Sequence, residues 1–206
     1  MLKIIGRKTS SNVMKVLWAC AELGLDFERE DLGGPFGGND SPEYQALNPN
    51  GLVPTIVEDD FVLWESNSIV RYLVHEHGHG ALWPKDARAR ARAERWMDWQ
   101  LSVLSPVMVP VFRGLIRTPE AERDMAAIGK ARDGLANAMA ILDSYLGDTA
   151  FVAGSDFTLG DIPVGIATFR WFALSIERED FPNLKRWYDA LTERTGYQEH
   201  IMIPME

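Results

Sequence analysis

The spacing of apolar residues changes character once along this chain, and that change limits the fold more than any other feature. Up to about residue 80, short apolar runs that suit strands alternate with apolar residues at helical spacing; from Arg88 onward only helical spacing recurs. Leu2-Lys3-Ile4-Ile5, closed by Gly6, reads as a buried strand. Val13, Val16, Leu17 and Cys20 then share one helical face, with Ser10, Ser11 and Asn12 offering capping side chains ahead of them and Gly24 placed to end the helix. Asp26 to Leu32 reads as a second strand, Gly33 to Asp40 as a glycine-rich loop, and Ser41 to Leu47 as a short helix before the turn Asn48-Pro49-Asn50-Gly51. Val53 to Glu58 and Phe61 to Trp64, separated by Asp59-Asp60, form an antiparallel hairpin, and Ser66 to Val74 returns to helical spacing.

The stretch His77-Gly78-His79-Gly80 interrupts this alternation, and the periodic segments 88–112, 120–146, 158–174 and 182–194 beyond it are long enough for helices. The expected organisation is a mixed α/β domain over residues 1–80, a linker over 81–88 and an all-helical domain over 89–206. Pro106 and Pro110 should kink or break the first long helix. Thr158-Leu159-Gly160-Asp161 has the spacing of a capping box, with Asp in place of Glu or Gln, and so marks a helix start rather than a catalytic site.

Composition narrows the class of ligand. With 206 residues, 46% of them apolar, the chain can build a real core. Lys and Arg total 21 against 30 for Asp and Glu, and the formal charge of -9 argues against nucleic acid and anionic membrane as partners. No apolar run approaching membrane-spanning length is read from the sequence. Cys20 is the only cysteine, so no intrachain disulfide forms; with no signal segment after Met1, a cytoplasmic location is expected. Cys20 itself reads as a small buried hydrophobe, and His75, His77 and His79 alternate without a nearby cysteine, so no metal site is expected. Arg88, Arg90, Arg92 and Arg95 read as a solvated helix face or a subunit contact.

Three segments, in this order and at this separation, resemble the cytosolic glutathione transferase superfamily: Ser10-Ser11-Asn12-Val13-Met14-Lys15-Val16, Asn48-Pro49-Asn50-Gly51-Leu52-Val53-Pro54 and Trp64-Glu65-Ser66-Asn67-Ser68-Ile69. The resemblance covers essentially the whole chain and is nearest to bacterial, theta-like members with a serine-type site. It implies an α/β N-terminal thioredoxin-like domain plus an all-α C-terminal domain, with glutathione as co-substrate and no metal. Pro54 would be cis, letting the backbone of Val53 pair with the cysteinyl unit of glutathione like an added strand. Ser66 and the free N–H groups of its helix would take the γ-glutamyl carboxylate, and Glu65 the ammonium.

The same resemblance places the reactive sulfur at the start of the first helix. Ser10 is the preferred hydrogen-bond donor to it and Asn12 the second candidate, while Ser11 and Thr9 leave the register open by one residue. Some relatives carry a basic residue before the Val-Pro pair where this chain has Leu52, leaving Lys15 or Arg7 to hold the glycyl carboxylate. Trp99, Val103, Met108, Phe112 and Trp171 would wall a pocket for a small hydrophobic electrophile. The function implied is conjugation of glutathione in detoxification by a homodimer. Glutathione-dependent disulfide reduction or peroxidase activity, favoured if Asn12 holds the sulfur, and a non-catalytic glutathione- or partner-binding module are the alternatives.

Overall fold

The computed structural model describes residues 1–78, 80 and 82–206. Four short strands, β1 (Leu2–Ile5), β2 (Phe27–Glu30), β3 (Thr55–Glu58) and β4 (Phe61–Trp64), form one sheet in the order β2-β1-β3-β4. β2 runs parallel to β1, whereas β3 is antiparallel to both β1 and β4. The parallel pair needs a crossover, which α1 (Ser11–Leu23) supplies; Gly24 then closes that helix in the left-handed region, at φ 65. Between β2 and β3 lies α2 (Pro42–Leu47), and α3 (Ser66–His77) follows the hairpin. Ile4, Val13, Val16, Leu17, Cys20, Ile56, Ile69 and Leu73 form the core between sheet and helices. Full burial of each aliphatic side chain contributes about 1.5–3 kcal/mol.

The described chain divides into two units, residues 1–83 with 195–203 and residues 84–194 with 204–206. The first unit therefore gains α9 (Thr195–His200), a segment that sequence periodicity assigns to the helical domain. Tyr197 stands edge-on to Trp18 of α1 at 4.8 Å, and both rings are fully buried. The two helices approach closely at Gly196, where a Cβ would lie 2.9 Å from that of Ala21. Periodicity shows that a helix has an apolar face, not what covers it.

The second unit holds α4 (Ala87–Trp99), α5 (Ser105–Phe112), α6 (Met125–Leu146), α7 (Asp161–Ala173) and α8 (Pro182–Thr192). Pro106 and Pro110 do not break the first long helix. π-helical turns at Gln100–Leu104 and Arg113–Arg117 make it continuous from Ala87 to Arg117. Pro106 has no N–H to offer the Ser102 carbonyl and its ring would press on it; a widened turn ahead of the proline relieves that conflict. The resulting 31-residue helix is, against the sequence expectation, long and apolar enough to cross a membrane by length and composition alone. Within its own unit it packs against α6 and α7 and buries Met97, Leu104, Met108, Val111 and Phe112.

The start of α7 is the capping box that its sequence predicts. Asp161, fully buried, accepts hydrogen bonds from the Thr158 N–H at 2.9 Å and the Val152 N–H at 3.0 Å. The Trp187 indole donates to it at 3.0 Å and the Thr158 hydroxyl at 3.2 Å. Burial pushes the Asp161 carboxyl up to about 6, against these hydrogen bonds, which pull it down.

Candidate active site

At the opposite pole of the sequence, α1 begins without spending its polar side chain. Ser10 holds the N-cap position in extended conformation (φ -76, ψ 122), and its hydroxyl makes no capping hydrogen bond. Its carbonyl accepts from Met14 N at 2.8 Å, so the helix starts here, with no acidic side chain in the first turn. The first N–H groups of a helix lack intrahelical partners, so this end presents donors and a positive dipole. Ser10 and Ser11 are half-buried and Asn12 is exposed.

Backbone close packing brings the second motif to the same place. A Cβ on Gly6, at the end of β1, would lie 2.6 Å from Val13 Cγ2 in the first turn of α1 and 3.0 Å from Val53 Cβ. Val53 therefore stands beside the start of α1, and its bond to Pro54 is cis, as the resemblance implies. The Leu52 carbonyl is anchored by Tyr44 Oη at 2.6 Å and Asn48 Nδ2 at 2.7 Å, while its side chain is 64% exposed.

The third motif opens α3. Glu65 sits at φ 72, a region that side-chain-bearing residues rarely occupy and that clusters at functional positions. Its carboxylate is exposed and takes no part in capping. Ser66 is buried, and Lys15 Nζ donates to its hydroxyl oxygen at 3.3 Å. Because Lys15 lies on α1 little more than a turn beyond Ser10, this contact ties the two helix starts together. Arg7 lies elsewhere: its Nη1 donates to Thr9 Oγ1 at 2.9 Å, its Nε is buried without a partner, and it fills the space beside Gly34. Of the two cations weighed for the glycyl carboxylate, Lys15 is thus engaged with Ser66, whereas Arg7, beside the glycine-rich loop, keeps a buried guanidinium N–H without a partner.

In the second unit, the expected pocket residues separate into two groups. Trp99 is half-buried and Val103 is 40% exposed. Met108, Phe112 and Trp171 are buried in the core of that unit, where Trp171 packs on Phe181 and Phe112 carries the Arg170 guanidinium 3.8 Å from its ring centre. Helical spacing alone does not distinguish a core face from a pocket wall, which is why the two groups read alike in sequence. Trp99 instead joins Arg95, Trp96, Ile141 and Tyr145 around an open, apolar pocket of 290 Å³. Arg95 Nη2 donates to Tyr145 Oη at 2.6 Å across that pocket, a pairing of α4 with α6 that no sequence pattern announces.

Cys20 is fully buried, and burial pushes its thiol up to about 12, which removes it as a nucleophile. His75 meets the Trp83 ring edge-on, and His77 Nε2 lies 3.2 Å from the Glu58 carboxylate. His79, the third of the alternating histidines, lies outside the described residues. Among the described residues no cluster of potential metal ligands occurs.

A four-stranded mixed sheet, with the cis-proline beside the start of α1 and that helix tied to the start of α3, defines a thioredoxin-like domain. Residues 9–76 match the glutathione S-transferase N-terminal domain and residues 100–195 the glutathione S-transferase C-terminal domain. Glutathione S-transferase GstB of Escherichia coli (strain K12) is 41% identical over 207 residues, spanning all of both chains. Glutathione S-transferase 3 of Zea mays is 31% identical, over 99% of this chain and 95% of its own. The theta class glutathione S-transferase of Xanthomonas axonopodis pv. citri, solved with glutathione bound, superimposes with a TM-score of 0.97 at 44% identity, over 100% of this chain and 99% of that one. The chain belongs to the glutathione S-transferase family and is an enzyme of its bacterial, theta-like branch.

Proposed function

We propose that the chain holds the thiol of glutathione as a thiolate at the start of α1 and transfers it to small hydrophobic electrophiles. The observation that carries this reading is the Ser10 hydroxyl, positioned at a helix N-terminus yet unused as a cap. A free thiol with a pKa of about 8.5 is only a few per cent ionised at neutral pH, and each unit of lowering represents about 1.4 kcal/mol. A hydroxyl hydrogen bond and the helix dipole both favour the anion. The thiol proton leaves to solvent; the sulfur lone pair then forms the C–S bond, and either halide departs with its bonding pair or the electrons of an activated double bond move away from the attacked carbon.

Around that sulfur, Val53 pairs its backbone with the cysteinyl unit, Ser66 and the α3 N–H groups take the γ-glutamyl carboxylate, and Glu65 takes the ammonium. Ser11 flanks the sulfur. Arg7, with its buried unpartnered Nε, is the cation for the glycyl carboxylate. Trp99 and Val103 meet the electrophile, with Met108, Phe112 and Trp171 as buried support. Detoxification in the cytoplasm by a homodimer completes the reading; sedimentation showing a monomer at micromolar concentration would remove the dimer from it.

The direct test is Ser10→Ala. Loss of conjugation with retained folding supports the role of Ser10. Wild-type turnover in Ser10→Ala, with loss in Asn12→Ala, transfers the role to Asn12, and faster turnover of a disulfide substrate than of halogenated aromatics then favours thiol exchange.

A further inference from the structure

Lys15 is 2% exposed, and an ammonium so deeply buried is costly unless polar groups compensate it. It lies on α1, yet it reaches across to α3 and donates to Ser66 Oγ, a residue 51 positions later in the chain. A hydroxyl that accepts a hydrogen bond from an ammonium has its own hydrogen left to give. Ser66 is thereby turned into a donor at the first position of a 12-residue helix, with no acidic side chain in its first turn. The hydrogen that Ser66 keeps suits an acceptor. A carboxylate oxygen at about 2.7 Å from Oγ lies within roughly 6 Å of Nζ, close enough for the charge to favour an anion.

We propose that Lys15 is a positioning residue for the γ-glutamyl carboxylate of glutathione: it orients the Ser66 hydroxyl as a donor and supplies the positive charge that makes this subsite select an anion. The proposal rests on the glutathione reading above and adds to it a residue at the γ-glutamyl end of the tripeptide, opposite to the glycyl carboxylate.

Calorimetric titration of wild type, Lys15→Met and Lys15→Gln with two probes tests it. One probe is glutathione; the other is 4-aminobutanoyl-cysteinyl-glycine, which lacks only the α-carboxylate of the γ-glutamyl unit. Wild type should prefer glutathione, and Lys15→Met should weaken glutathione roughly 10–100-fold while changing the analogue less than about 2-fold. Lys15→Gln, which keeps a donor without the charge, should fall between. Ser66→Ala, at a residue proposed to contact the same carboxylate, should shrink the same preference and keeps the test available if a Lys15 variant does not fold. Equal weakening of both probes by Lys15→Met and Lys15→Gln, which leaves the preference unchanged, would reduce Lys15 to a structural role and overturn the proposal. Failure of wild type to bind glutathione at all would instead overturn the glutathione reading and this inference with it.

Discussion

Helices α1 and α7 both open on short polar sequences, Thr9-Ser10-Ser11-Asn12 and Thr158-Leu159-Gly160-Asp161, and they spend those side chains in opposite ways. At α7 the polar side chains are used by the protein itself: Asp161 takes two backbone N–H groups, a hydroxyl and an indole. At α1 the Ser10 hydroxyl caps nothing, and the side chains of Val13 in its first turn and of Val53 meet at Gly6. Hydrogen-bonding capacity used internally stabilises a fold, whereas capacity left unspent at a helix start is available to a ligand. The contrast teaches that a capping signature is not in itself evidence for or against a site; the destination of each hydrogen bond decides.

The largest effect should follow from Asp161→Ala. It leaves the Val152 and Thr158 N–H groups and the Trp187 indole buried without their acceptor, and the expected cost is about 3–5 kcal/mol, read as a fall in thermal midpoint of roughly 10 °C. A shift of only a degree or two would erase the distinction drawn between the two helix starts.

Next in size is the pH dependence of the same group. The Asp161 carboxyl titrates near 6 in the folded chain, above its unfolded value, so the folded state keeps this proton longer. Its contribution is therefore complete below about pH 4 and is lost as pH rises through 6. Measured against Asp161→Asn, which does not titrate, the wild-type advantage should shrink by about 2 kcal/mol between pH 4 and pH 7. An advantage that grew with pH would mean that the hydrogen bonds outweigh burial.

Ser10→Ala should act on turnover alone: a drop in kcat/KM of roughly 10–100-fold, the loss of one hydrogen bond to a charged sulfur, with the thermal midpoint within about 1 °C of wild type. A helix cap would behave the other way, costing about 1 kcal/mol of stability and little turnover. The smallest effect belongs to Cys20. Thiol reagents should label it only after unfolding, because it is fully buried and its thiol is held near 12.

Much of the first unit was legible because its signals are local. Gly6 and Gly24 bound β1 and α1 as read and Asp59-Asp60 turns the hairpin; in the second unit the Thr158–Asp161 spacing likewise marks the start of α7. The three motifs named the family, which the matches over the full chain bear out. What sequence missed is long-range. The prolines announced a disturbed helix, but not that it widens into π turns and continues. Trp99 and Trp171 looked equivalent, yet one borders a pocket and the other has no exposed surface.

Residue order alone was enough for the element sequence, the motif spacing and the helix starts, since each depends on groups within a turn or two of one another. The pairing of Lys15 with Ser66, of Arg95 with Tyr145 and of Trp18 with Tyr197 joins residues 50 or more positions apart, and it arises only when helices pack. Hydrogen-bond geometry and close packing select such partners by fractions of an ångström, a scale that composition and periodicity do not encode.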